Sequence, residues 1–272
     1  MTSLRSLPYI GVSAAESNQF HWWTLLRHSF RITHTMLRLI YLFGFVLSAR
    51  CASAPFITPC KSGDQTCLIT SARAALPHLV PGVPELGIKS MDPMHIDTIE
   101  SNQGDLKLHF KDTTMTGIRG CSIDSIKHDL NKMKQSISLK CNMELVGEYL
   151  LSGQLLILPV QGQGKYKIDI RDIVIKVATD LKSEAGEDGK QHWRITKWKD
   201  SFKVLTGATF QFDNLFNGNK LLGDPVLQFV NSNWKDVMQE IAPPIVHAVL
   251  AEIIEAVQAL YAAVPAEELY VQ

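Results

Sequence analysis

From Leu106 to Phe212 apolar residues recur at every second position, and from Val226 to Val264 they recur at every third or fourth. Leu106, Leu108 and Phe110 alternate with polar residues, as do Ile137, Leu139, Cys141, Met143 and Leu145, and then Tyr166, Ile168 and Ile170. One-sided alternation of this kind predicts antiparallel strands with one covered face and one wet face. The later run, through Val230, Trp234, Val237, Ile241, Ile245, Val249, Ile253, Val257 and Leu260, predicts helix over residues 225–264. Asp224-Pro225 reads as its start, with Asp as cap and Pro at the first position. Pro243-Pro244 should break or bend it. So long an apolar helix face needs a partner, and the inner face of the sheet is the only large candidate. The expected architecture is α+β, a long C-terminal helix wrapped by a curved antiparallel sheet.

Two details refine the sheet. The apolar parity flips from Tyr166, Ile168 and Ile170 to Ile173, Ile175 and Val177, with Arg171-Asp172 between. A flip predicts a β-bulge or bend, which helps a sheet curl. Asn131 lies midway between Cys121 and Cys141. A hairpin centred there would set the two cysteines opposite each other, close enough to bridge. Upstream, residues 68–79 place Leu68, Ala72, Ala75, Leu76 and Leu79 on one helical face, with Pro77 limiting the last turn.

The N-terminal part reads as a leader. Leu39 to Leu47 is an apolar stretch of nine residues, where a bilayer span needs roughly 20. Arg38 precedes it, and Ser48, Ala49, Ala52, Ser53 and Ala54 follow as small residues for cleavage, as in a signal peptide. The cut is expected between Cys51 and Pro55, and Met36 is a candidate true start. Residues 1–54 are then leader and residues 55–272 a single domain. Without the leader the chain has 22 basic and 26 acidic residues, a net charge of −4. That argues against nucleic acid, which needs a basic face. No second apolar stretch is read as a membrane span, so no stable insertion is expected after cleavage. Four of the five cysteines remain, an even number suited to an oxidising, extracellular compartment. Three pairings are open. Proximity favours Cys60–Cys67, and the hairpin favours Cys121–Cys141.

No motif proposes chemistry. HExxH, P-loop and G-x-S-x-G patterns are absent, and Gly162-Gln-Gly164 reads as a turn. His78, His95, His109, His128, His192 and His247 lack metal-ligand spacing and read as surface or loop residues. No catalytic residue, cofactor or metal is assigned. Trp193, Trp198, Phe202, Phe210, Phe212, Phe216, Phe229 and Trp234 crowd the second half, either as ordinary core or as the wall of an apolar cavity.

Several segments resemble one family. Cys60-x6-Cys67, Ala75-Leu76-Pro77, the run from Pro81 to Ile88 and Met91-Asp92-Pro93-Met94 are similar to the start of takeout and juvenile-hormone-binding proteins. So are Gly147-Glu-Tyr149, the run from Gly153 to Gly164, and Phe212-Asp213-Asn214-Leu215-Phe216-Asn217-Gly218 with Leu222-Gly223-Asp224 and Asn233-Trp234-Lys235 after it. The resemblance spans about residues 60–269. It implies an elongated α/β-wrap of the TULIP type, an internal tunnel for a hydrophobic ligand, secretion by an insect or other arthropod, and a disulfide between Cys60 and Cys67. Cys121 and Cys141 depart from the second bridge of the hormone-binding branch, which leans towards the takeout-like branch.

The leading expectation is a non-catalytic secreted carrier of a terpenoid, juvenile-hormone-like or fatty-acid-like ligand, with an unidentified receptor as a candidate partner. Parity and helical face select Leu68, Ala72, Leu76, Phe110, Phe212, Trp234, Val237, Ile241 and Ile245 as tunnel wall. The alternatives are a signalling protein with a filled core and an extracellular lipid hydrolase or transferase.

Overall fold

The computed structural model describes residues 54–271. The leader features, including Leu39–Leu47, Met36 and Cys51, lie outside the described residues. In chain order the elements are β1 (Cys60–Lys61), α1 (Gln65–Leu79), β2 (Met94–Gln103), β3 (Leu106–Thr116), β4 (Ser122–Asp129), β5 (Lys134–Leu155), β6 (Leu158–Ala185) and β7 (Gln191–Phe212). Then come α2 (Lys220–Ser232), α3 (Trp234–Ala263), α4 (Ala266–Leu269) and β8 (Tyr270–Val271).

The six strands from β2 to β7 form one antiparallel sheet in the order β2-β3-β5-β6-β7. β5 is long enough to serve two partners on the same edge: β3 pairs along Glu144–Ser152 and β4 along Lys134–Lys140. The parity flip is a bulge, as expected. Register shifts between Arg171 and Ile173 against β7, and Asp172 takes a positive φ of 51°. Ile168 and Ile170 before the bulge and Ile173, Ile175 and Val177 after it all stay buried. The extra residue thus turns the chain without exposing its apolar face.

Pairing of Ser122 with Lys140 and Ile123 with Leu139 centres the β4–β5 hairpin on Asn131 and sets Cys121 beside Cys141. The two are bonded, with Cα atoms 4.3 Å apart. Cys60 and Cys67 form the second bridge, Cα atoms 5.7 Å apart, between β1 and the first turn of α1. Asp64 caps α1, its carboxylate accepting from the Cys67 amide at 3.0 Å.

α3 packs against both β7 and β2, the two outermost strands of the sheet. A flat sheet could not bring both edges to one helix, so the sheet curls around α3 while staying open. The inward side of α3 carries Val237, Ile241, Ile245, Val249 and Leu250, all buried, and they join one apolar core with the inner faces of β2 to β7.

Three expectations on these elements are corrected. The C-terminal helical run starts at Lys220, because Asn219 caps it with its side-chain oxygen 3.1 Å from the Leu221 amide; Pro225 lies inside α2. The break falls at Asn233, whose side-chain amide donates to the Phe229 carbonyl at 2.8 Å and closes α2. Pro243 and Pro244 sit inside an unbroken α3, where buried Ile241, Ala242, Ile245 and Val246 on either side hold the helix despite two missing N–H donors. α3 is also long and apolar enough to cross a bilayer by length and composition, contrary to the reading that no second such stretch exists; its apolar side is instead packed on the sheet.

Gly162 and Gly164 are not a turn. They pair with Leu151 and Tyr149 within the β5–β6 ladder, on the side of its hairpin end. Glycine is needed there because segment 213–215 crosses close by: a Cβ on Gly162 would lie 2.6 Å from the Tyr149 hydroxyl, and one on Gly164 would lie 2.7 Å from the Asp213 carbonyl oxygen.

Candidate functional site

Seven of the nine predicted wall positions meet in the apolar core shared by the sheet and α3. Phe110, Val237, Ile241 and Ile245 are buried in the apolar core, and Leu76, Phe212 and Trp234 pack against it half-buried. Leu68 and Ala72 are half-buried on α1, which lies against β4, and they stand outside that core. Among the candidate aromatics, Phe210 is core, with Trp198, Phe202 and Phe216 at its margin. Trp193 belongs elsewhere. It sits in a smaller cluster with Leu181 and Ala266, edge-on to Tyr261 at 5.4 Å and stacked on Tyr270 at 5.5 Å.

The centre of the concave face is aromatic. Phe110 lies 4.3 Å from Tyr166, Tyr149 lies 4.9 Å from Phe212, and Phe212 links on to Phe210 at 6.5 Å, between ring centroids. Two phenols and one aliphatic hydroxyl are set among these rings. The Tyr149 hydroxyl donates to the Asp213 carbonyl at 2.6 Å, and the Tyr166 hydroxyl meets Thr113 Oγ1 at 2.8 Å. Burial pushes both phenols up to about 12, so both stay protonated and neutral. A surface of this composition can hold an apolar molecule and orient it through a few neutral hydrogen bonds.

Sequence reasoning missed Thr113 and did not assign Tyr149 or Tyr166 to the wall. The parity of Tyr166 marked it as inward-facing, and Gly147 inside a strand was a signal of close approach that points to the same place. Thr113 carried no signal, because its inward turn depends on a bulge. His128 and His192, read as surface residues, are both buried. His128 stands edge-on to Trp193 at 4.7 Å. His192 is held between the Tyr261 carbonyl and Asp188, each at 3.1 Å.

The outer face offers different ground. Hollows of about 380 and 400 Å³ open there, lined by Asn142, Glu144, Asp169 and Arg171 in one and by Lys111, Glu148, Gln163 and Lys165 in the other. Both linings mix these polar and charged groups with apolar ones, Met143 and Ile170 in the first and Tyr149 and Leu150 in the second. Among the described residues no group of three or more His, Cys, Asp or Glu side chains is arranged to hold a metal ion.

An open, curved antiparallel sheet wrapped on one long helix, with an apolar and aromatic concave face, defines an α+β wrap of the TULIP type. The chain belongs to the family described as haemolymph juvenile hormone binding protein, whose model matches residues 40–271. It is 28% identical over 234 residues to the circadian clock-controlled protein daywake of Drosophila melanogaster, covering 80% of this chain and 90% of that one. A putative beta-carotene-binding protein of Schistocerca gregaria is 21% identical over 203 residues, 74% of this chain and 81% of that one. The crystal structure of Epiphyas postvittana Takeout 1 superposes with a TM-score of 0.77 at 31% identity, covering 79% of this chain and all of that one. Takeout and juvenile-hormone-binding proteins are binding proteins rather than enzymes, and the chain is one of them.

Proposed function

We propose that the protein is a secreted carrier that holds a small hydrophobic ligand, a terpenoid or fatty-acid-like molecule, between the curved sheet and α3. The observation that carries this reading is the meeting of both outer strands on one apolar helix, which encloses an aromatic concave face with few polar groups. Leu76, Phe110, Phe212, Trp234, Val237, Ile241 and Ile245 form the wall in this reading, and Leu68 and Ala72, on α1 against β4, lie outside it. The family's haemolymph description and two disulfides among the described residues support an extracellular setting, with residues 1–54 as leader and residues 55–272 as the carrier domain. The relative described as a putative beta-carotene-binding protein supports an apolar cargo.

The test is mass spectrometry of organic extracts from protein secreted by insect cells. A stoichiometric lipid released only on denaturation is the expected result. Protein that is empty, and that also takes up neither terpenoids nor fatty acids, would overturn the carrier reading and favour a filled-core signalling protein.

A further inference from the structure

Thr113 owes its position to an irregularity in the sheet. Lys111 pairs with Glu148 and Thr114 with Val146, so Asp112 and Thr113 together face the single residue Gly147. Asp112 takes a positive φ of 48° and stays outside, while Thr113 turns inward and is fully buried. In unbroken alternation after Leu106, Leu108 and Phe110 the aspartate would have pointed into the core and the threonine out of it. Gly147 completes the arrangement. It pairs with Tyr166, and a Cβ on it would lie 3.0 Å from the Tyr166 ring and 2.7 Å from the Lys111 carbonyl oxygen. The absent side chain lets the ring lie flat across the strand and carry its hydroxyl to Thr113 at 2.8 Å.

The hydrogen count at this contact is uneven. Each hydroxyl has one hydrogen to donate. One hydrogen fills the contact between the two oxygens, and among the described residues neither hydroxyl has another partner. One donor is therefore left over, inside a wall built from Phe110, Phe212 and their apolar neighbours. Keeping an unused donor in such surroundings is costly, whereas a Val–Phe pair would fill nearly the same space without it.

We propose that Thr113 and Tyr166 form the polar anchor of the ligand chamber, donating one hydrogen bond to a neutral acceptor oxygen, an ester or ketone carbonyl, on an otherwise apolar ligand. The inference rests on the carrier reading and specifies its ligand class. The acceptor is neutral because the pair is neutral: burial keeps Tyr166 protonated, and among the described residues no Lys, Arg or His side chain bonds to either hydroxyl. A carboxylate placed there would be buried without a counter-charge. Either hydroxyl alone can supply the hydrogen, so the decisive variant removes both.

The experiment compares methyl palmitate with hexadecane on the wild-type chain and on T113V/Y166F, by displacement of an uncharged fluorescent probe. The wild-type preference for the ester over the alkane should fall about fivefold in the double variant, the worth of one hydrogen bond. An unaltered ratio, with both probes still bound, overturns the anchor and leaves the carrier reading standing. A wild-type chain that binds neither compound overturns the anchor, and the carrier reading then stands or falls on the extraction test. A second measurement needs no variant: the infrared carbonyl band of bound ¹³C-labelled methyl palmitate should lie below its position in hexadecane solution. A band at the hexadecane position overturns the anchor.

Discussion

His128 shows how far a single side chain can depart from its reading in the sequence. It lies in β4, where the alternation Ile123, Ser125, Lys127 gives no reason to expect burial at 128. It is nonetheless buried, edge-on to Trp193 and 3.5 Å from the Gln135 side chain, which in turn accepts from the Tyr261 hydroxyl at 2.8 Å. Burial pulls its pKa below the ordinary histidine value of about 6.5. The unfolded chain therefore takes up a proton at a pH where the folded chain refuses it, and stability falls as pH drops below about 6.5. Asp129 and Glu144 are held below the usual carboxylate range, so their contributions are lost only at more acid pH. We expect the melting temperature to decline between pH 7.5 and 5.5 in the wild-type chain. In His128→Phe, which keeps the edge-on contact, that decline should flatten. Equal slopes in a pair of thermal melts would rule out His128 as the source. The glycines make the complementary point. Gly162-Gln-Gly164 reads as a turn, since glycine punctuates turns. Its actual cause, a segment 50 residues on that crosses the strand, has no local trace.

At the level of elements, regular periodicity was legible and its interruptions only partly so. The period of two located the strands, and the flip at Arg171-Asp172 located a bulge, because parity is a local property. The midpoint argument gave the β4–β5 register and with it the Cys121–Cys141 bridge. The helix ends were less legible. Asn219 and Asn233 set them through side-chain bonds, whereas the prolines that looked like punctuation were absorbed by packing. The Cys121–Cys141 bridge has a mechanical place in this layout. β3 ends at Thr116 and β4 begins at Ser122, so two separate strands share one edge of β5, and the disulfide ties the start of β4 to β5 at their junction. Closing a loop of this length removes chain entropy from the unfolded state worth about 3 kcal/mol. Replacing both cysteines with alanine should lower unfolding free energy by roughly that amount in chemical denaturation. A loss under about 1 kcal/mol would mean that the hairpin register holds without the bond.

For the whole molecule, the wrap followed from one requirement: a long apolar helix face has to be covered, and one element was large enough to cover it. Which strands lie at the edges, and that both meet α3, depended on pairings between distant residues that periodicity does not encode. The same dependence hid Thr113, whose inward turn comes from the match of β3 to β5. Because sheet and helix share one core, ligand space and folding stability draw on the same side chains. Ile241 is buried on the inward face of α3, among the residues that face the sheet. Truncating Ile241 to alanine should cost about 2–5 kcal/mol in the empty protein, through lost burial and the cavity left behind. If the ligand lies between sheet and α3, the same cavity gives it room. Ile241→Ala should then shift preference towards bulkier cargo, while Val237→Phe, which fills the space, should shift it towards slimmer cargo or exclude it. Competition among a graded series of terpenoid and fatty esters, read by native mass spectrometry, measures the order of preference directly. Opposite shifts in the two variants place the ligand against α3. Loss of stability with no change of preference in either would place the ligand elsewhere and leave α3 as core alone.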